Sequence, residues 1–154
     1  MAFGLEELTV AAVMSSPVVT IEAEASLLTA RDLLHTRGVH HLLILIEGKP
    51  VAVVSDRDVL RALSPFLGTI GEQPRDSHTL LKPVFQVATY YPTTIGPEAS
   101  VLEAASTLID RHISCLPVVD ERGLVIGIVT SNDLMRGLLS SALPDREASP
   151  LSAQ

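Results

Sequence analysis

The sequence predicts an α/β (α+β) protein made of two β-α-β-β-α repeats packed with pseudo-twofold symmetry. The first observation behind this is an internal repeat. Thr20-Ile21 returns as Thr94-Ile95, an offset of 74, and the same offset carries Val10, Val13, Glu24, Ala25, Ser26, Leu28, Ala30, Leu34, Arg37, Leu42 and Glu47 onto identical residues. After one extra residue in the second hairpin turn the offset becomes 75, and Gly48, Val54, Asp58, Arg61 and Leu63 meet Gly123, Val129, Asp133, Arg136 and Leu138. Register kept over a whole unit marks duplication. The second observation is the short unbroken apolar runs at 42–46 and 51–54, the pattern of strands covered on both faces. The third is composition: 47% apolar residues and no Trp, which suits aliphatic strands under Leu/Ala-rich helices.

In chain order, 5–14 reads as a short amphipathic lead-in, stopped by Ser15-Ser-Pro17, and 18–21 reads as a short strand. Ser26 caps a helix to about Arg37 with Leu27, Ala30, Leu33 and Leu34 on one side, and Gly38 supplies a left-handed C-cap. Residues 40–46 and 51–54 form a hairpin around Glu47-Gly48-Lys49-Pro50, and Ser55 opens a second helix through Leu63. Residues 64–82 hold Pro, Gly, Ser and Asp with little periodicity and read as a linker, with a helical turn at 79–81. In the second copy Ser100 and Glu103 predict a capping box, and 113–120 and 124–130 predict a hairpin turning at Glu121-Arg-Gly123. Repeat one therefore spans 8–64, the linker 65–82 and repeat two 83–140. The segment 144–154 has little to bury and reads as a disordered tail.

The bulk numbers exclude several function classes. A net charge of −7 argues against nucleic acid and against an anionic membrane surface. Cys115 is the single cysteine, so no intrachain disulfide forms, and a reducing compartment follows. The first residues carry acids and no basic region, unlike a signal peptide, and the apolar runs are too short to span a bilayer. The expectation is a cytoplasmic protein. No Ser–His–Asp set, metal-ligand cluster or Gly-rich phosphate loop is present, so the expectation is also that it is no enzyme.

The chemistry that does repeat is a strand-to-helix junction: Gly127-Ile-Val-Thr-Ser-Asn-Asp133, and earlier Ala52-Val-Val-Ser-Asp-Arg-Asp58. Each offers a hydroxyl at the helix N-cap, first-turn N–H groups that attract phosphate, and a carboxylate suited to ribose hydroxyls. Ser/Thr-x-x-Asp is equally a relative of the ordinary capping box, and one isolated copy reads first as a cap. Context favours a site: both copies follow a buried strand, in the same register, and both carry Asp.

With Val13-Met-Ser-Ser-Pro17 and His112-Ile-Ser-Cys-Leu-Pro-Val-Val-Asp120, these junctions give a chain that resembles a tandem pair of cystathionine-β-synthase-type (CBS) domains, a Bateman module, from about Leu8 to Leu139. The resemblance implies frequent homodimerisation and a ligand such as AMP, ADP, ATP or S-adenosylmethionine in the inter-repeat cleft. It implies one site joining Thr130 and Asp133 to Val19, Val39 and His40, and another joining Ser55 and Asp58 to Thr93, Ile113 and Ser114. Asp133 and Asp58 would hold ribose, Thr130 and Ser55 would face phosphate, and Val19, Val39, Thr93 and Ile113 would line the adenine slot. The sequence departs from the pattern at Leu43, where the second copy has Pro117, at Ala52 against Gly127, and at Ala88 against Met14. The methyl of Ala52 would narrow the approach to its cleft.

Other residues admit two readings each. His40 is either a satisfied structural histidine or a ligand of phosphate, with affinity rising as it protonates; His41 is structural. Arg57 and Asn132 lie inside the junctions, Arg57 equally as a solvated helix residue. Tyr90 and Tyr91 either stack on a base or pack under the linker. Arg37 and Arg111 are explained by helix C-terminal dipoles, and Cys115 by the core. Few cations flank the junctions, which favours AMP, ADP or an adenosine derivative over a triphosphate. The expected function is a stand-alone regulatory module that needs no cofactor or metal and signals to an effector protein in trans. The alternative is a ligand-free structural or oligomerisation module.

Overall fold

The computed structural model of the chain describes residues 7–143. The tail expected at 144–154 lies outside them, as do Leu5 and Glu6 of the lead-in. The described residues form two compact units, one holding 7–18 and 93–143 (unit 1) and the other Val19–Pro92 (unit 2). The repeats delimited by sequence register and the units delimited by contact are thus different divisions. The segment leading into each repeat packs with the other repeat's strands and helices.

Unit 2 contains α2 (Leu27–Arg37), β1 (His41–Ile46), β2 (Lys49–Ser55), α3 (Asp56–Ala62), α4 (Pro74–His78) and β3 (Thr89–Tyr90). Strands β1 and β2 pair antiparallel, with Leu42 opposite Val54 and Ile44 opposite Ala52; β3 adds antiparallel to β2. Ser26 caps α2 by accepting from Thr29 N, and Gly38 ends it at φ 62°, where a residue with no Cβ meets no strain. Leu27, Ala30, Leu34, Leu42, Ile44, Val54 and Val84 bury together as this unit's core.

Unit 1 contains α1 (Val10–Val13), α5 (Val101–Arg111), β4 (Cys115–Val119), β5 (Val125–Thr130) and α6 (Ser131–Ala142). Its core is Val10, Ile95, Val101, Leu108, Leu116, Val118, Val129 and Leu134. The same backbone hydrogen bond occurs inside each unit: Val10 N donates to Ala99 O in unit 1 and Val84 N to Ala25 O in unit 2, both at 2.8 Å. Val101 N to Leu8 O matches Leu27 N to Lys82 O.

Three expectations change. The strand expected at 18–21 is a single parallel bridge, Thr20 to Leu43, because only this short stretch reaches the edge of β1. The capping box at Ser100 is half made: Ser100 Oγ accepts from Glu103 N, but no return bond from the Glu103 side chain forms. The linker carries, besides the expected turn at Thr79–Leu81, a helix that was not expected, α4, anchored by Asp76. The Asp76 carboxylate, shielded from solvent, accepts from Ser64 Oγ at 2.7 Å and Gln73 N at 2.7 Å. Those two donors hold its carboxyl below the ordinary carboxylate value.

Candidate functional site

At the unit 2 junction β2 runs directly into α3. Asp58 N donates to Ser55 Oγ at 3.1 Å and Ser55 N to Asp58 Oδ2 at 2.8 Å, a complete capping box. Asp58 is half-buried, and no Arg or Lys among the described residues pairs with it. His40 lies just before β1, and its carbonyl accepts from Asp56 N at 3.0 Å, which ties the start of one strand to the first turn of the helix after the next. The His40 ring, exposed rather than core, meets the carboxylate of Asp56: Nδ1 to Oδ2 is 2.8 Å. Asp56 Oδ1 accepts from Arg57 N at 2.8 Å. Partial burial pushes the Asp56 carboxyl up. The hydrogen bonds from His40 and Arg57 N, with the charge of His40 and His41, outweigh this and hold it below its ordinary value.

The unit 1 junction has the same backbone and a different carboxylate environment. Ser131 N donates to Ser114 O at 3.1 Å, the counterpart of Asp56 N to His40 O. Thr130 and Asp133 close a capping box, with Thr130 N to Asp133 Oδ2 at 2.9 Å and Asp133 N to Thr130 Oγ1 at 3.3 Å. Asp133 is only 4% exposed and its carboxylate takes three further bonds: Thr130 Oγ1 on Oδ2 at 3.0 Å, and Ser15 Oγ at 3.2 Å and Arg136 Nη2 at 2.8 Å on Oδ1. Its charge is thus compensated inside the unit, as a buried carboxylate requires. Ser15, Asp133, Arg136 and Gly137 line a cavity of about 420 Å³ between α1 and α6.

Of the other residues singled out, Val19 and Val39 are half-buried against the unit 2 core, and Ile113 against the unit 1 core. Thr93 is half-buried and Ser114 exposed, both in unit 1. The sites implied by resemblance combine residues of both units. Within a unit, the backbone joins His40 to the Ser55/Asp58 junction and Ser114 to the Thr130/Asp133 junction. Tyr90 donates its hydroxyl to Phe85 O at 2.8 Å, and Tyr91 is almost fully exposed.

The departures between repeats acquire physical reasons. Leu43 N donates to Val19 O at 3.0 Å; Pro117 has no N–H, so β4 gives no such bond to Thr93. At Gly127 an added Cβ would sit 2.6 Å from Met14 Sδ and 3.1 Å from Ser15 O. The glycine makes room for the lead-in of the other repeat, and the matching positions in unit 2 are the smaller pair Ala52 and Ala88. Ala52 is fully buried beneath that packing. Sequence reading missed Ser15, Met14 and Asp56, whose partners lie far along the chain or across a hairpin. The Arg136–Asp133 pair, three residues apart on α6, carried a legible helical signal.

Among the described residues, no helix is long and apolar enough to cross a membrane. Nor does any group of three or more His, Cys, Asp and Glu there suit a metal ion.

Comparison with known proteins agrees with this architecture. The family model for the CBS domain matches twice, at residues 10–65 and 84–140. A CBS domain-containing protein of Dictyostelium discoideum is 32% identical over 133 residues, covering 85% of this chain and 91% of its own length. An inosine-5'-monophosphate dehydrogenase of Korarchaeum cryptofilum is 33% identical over 117 residues, 76% of this chain but only 21% of that enzyme. Among solved structures, CBSX2 in complex with AMP is 30% identical with a TM-score of 0.67, covering 86% of this chain and 97% of that one. The CBS domain pair of protein MJ0100, in complex with 5'-methylthioadenosine and S-adenosyl-L-methionine, is 27% identical with a TM-score of 0.68, covering 83% and 93%. Two matches in tandem over most of the chain, on two units that build the same strand-to-helix junction, place this protein in the CBS-domain family as a tandem pair.

Proposed function

We propose that this chain is a stand-alone regulatory module that binds an adenine nucleotide or adenosine derivative at its strand-to-helix junctions. The observation that carries the reading is the repetition of one polar junction, hydroxyl, first-turn N–H groups and aspartate, after a buried strand in each unit. Asp58 and Asp133 are assigned to ribose hydroxyls, and Ser55 and Thr130 to the side facing phosphate. Val19 and Val39 are assigned to the base, and His40 to phosphate, for the ligand of Thr130 and Asp133; Thr93 and Ile113 are assigned to the base, with Ser114 beside them, for the ligand of Ser55 and Asp58. The AMP complex of CBSX2 and the adenosine-derivative complex of the MJ0100 pair support this ligand class for a chain of the same fold.

Binding would shift a conformational equilibrium that an effector protein reads in trans, from a cytoplasmic homodimer with no catalytic activity of its own. The junction at Asp58 is the more open of the two, since Asp133 is buried and bonded to Ser15 and Arg136. That same burial favours the second reading at unit 1, a junction that serves as a cap and scaffold.

A thermal-shift screen with AMP, ADP, ATP, S-adenosylmethionine and NAD tests the proposal. A ligand at about one hundred times its dissociation constant adds roughly 2.7 kcal/mol of stability, several degrees for a chain of this size. Stabilisation by at least one adenine ligand is expected. No shift with any of them at millimolar concentration contradicts the proposal.

A further inference from the structure

Beyond their caps the two repeats diverge. Helix α3 ends at Ala62, whereas α6 continues past the matching Gly137 to Ala142. The residue facing each helix end also differs. Lys82 and Leu8 occupy the same place, since Lys82 O accepts from Leu27 N as Leu8 O does from Val101 N. In unit 2 the Lys82 ammonium comes to the end of α3, with Nζ 3.5 Å from Ala62 O. In unit 1 the matching side chain is the apolar Leu8, and the added turn of α6 forms the opposite wall. Between them lies the cavity of about 420 Å³. Leu8, Ala12 and Val13 give it an apolar side, the added turn contributes Ser140 and Ser141, and Arg136 is the one cation among its lining residues. The apolar side is packed: a Cβ added at Gly137 would lie 2.5 Å from Val13 Cγ1. Arg136 is both anchored and accessible. Its Nη2 bonds to the buried Asp133 carboxylate at 2.8 Å, one contact of a group with five N–H donors, and its side chain is 74% exposed.

We propose that the cavity between α1 and α6 is a further ligand site, one that takes a small organic carboxylate with a short aliphatic body. It stands whether or not a nucleoside binds at the junctions. The volume falls in the range of roughly 300–1,000 Å³ that small-molecule sites occupy. A planar guanidinium matches a carboxylate in shape and charge, and a bidentate pair of bonds fixes the ligand's orientation. The serine hydroxyls donate to the same oxygens or to a polar substituent, and the aliphatic body leaves water against Leu8, Ala12 and Val13. Charge sets the class. Asp133 is compensated by Thr130, Ser15 and Arg136, so the wall can accept one further negative charge at the guanidinium. A phosphate would bring nearly two charges close to Asp133 with no second cation on the lining.

The test is titration of the full chain with butyrate, butyramide and inorganic phosphate at matched ionic strength, followed by the assigned backbone amide signals in NMR. Butyrate is expected to shift the Val13, Gly137 and Ser141 signals saturably, with millimolar affinity. Butyramide, which keeps the body and lacks the charge, is expected to bind at least about tenfold more weakly. Arg136→Gln is expected to weaken butyrate by about tenfold or more. Ser141→Leu, which fills the cavity from the added turn and leaves the Arg136–Asp133 pair in place, is expected to weaken it as well; it serves if Arg136→Gln folds poorly. No saturable shift with butyrate at tens of millimolar overturns the site. Equal response to butyrate and butyramide, or butyrate binding unchanged by both substitutions, overturns the role of Arg136 and the cavity. Phosphate binding as tightly as butyrate overturns the ligand class. Adenosine binding, present or absent, alters none of these outcomes.

Discussion

Asp58 and Asp133 occupy the same position in their repeats, yet only one is expected to act as a major structural group. Asp133 is buried and accepts from Thr130, Ser15 and Arg136, so Asp133→Ala strands several donors at once. Chemical denaturation is expected to show a loss of about 2 kcal/mol for Asp133→Ala, combining the cap with unmade buried hydrogen bonds. For Asp58→Ala the loss is expected to be about 1 kcal/mol, that of a cap. Equal losses would mean that Ser15 and Arg136 add nothing. The reason this contrast escaped the sequence is distance along the chain: Ser15 and Asp133 are 118 residues apart, and nothing local to either marks the other. The His40–Asp56 contact escaped it for a milder form of the same reason, since it crosses the whole hairpin of β1 and β2, 16 residues. The caps themselves were legible because each is local, four residues with fixed types.

Helix and strand placement followed from periodicity and breakers wherever an element buries a face of its own, as α2, α5 and both hairpins do. It weakened where an element is held from elsewhere. The helix α4 has almost no apolar face, and its anchor is Asp76, bonded to Ser64 and Gln73. Those bonds are made by the ionised carboxylate, and the folded-state pKa lies below the ordinary value of 3.8. Their stabilisation is therefore complete above that ordinary value and is lost as pH falls through the lower folded-state value. Asp76→Asn is expected to unfold at lower denaturant than wild type at neutral pH. The gap should close on acidification below the carboxylate range; a gap independent of pH would mean that ionisation of Asp76 is not what holds the segment.

The packing of Met14 over Gly127 is an element-scale device as well. Gly127→Ala is expected to cost about 1 kcal/mol, because Ser15 O, a backbone atom, stands in the way as well as the flexible Met14. In a double-mutant cycle, Met14→Ala is expected to recover part of that cost, since the resulting pair matches Ala52 and Ala88 of unit 2. Simple additivity of the two losses would contradict it.

At the scale of the molecule, duplication was the strongest signal in the sequence, and the family follows from it. The exchange of lead-in segments between the repeats was not legible. The offset of 74 relates 10–13 to 84–87 but is silent on which repeat each packs against, and only the hydrogen bonds from Val10 to Ala99 and from Val84 to Ala25 answer that. A chain cut between its sequence repeats would leave each half with its own lead-in but without the other repeat's lead-in that packs on it, exposing the apolar surface that Val10 or Val84 covers. Neither half alone is expected to show cooperative unfolding by circular dichroism, whereas mixing the halves is expected to restore it.

The central claim is that a polar strand-to-helix junction, repeated by duplication, receives an adenosine moiety through its aspartate. Calorimetric titration of adenosine, AMP, ADP, ATP and S-adenosylmethionine into wild type and Asp58→Ala tests it most directly. The account predicts saturable binding of at least one ligand, weakened about tenfold or more by Asp58→Ala while the fold loses only about 1 kcal/mol. Binding unaffected by Asp58→Ala, or no binding at millimolar ligand, would contradict it.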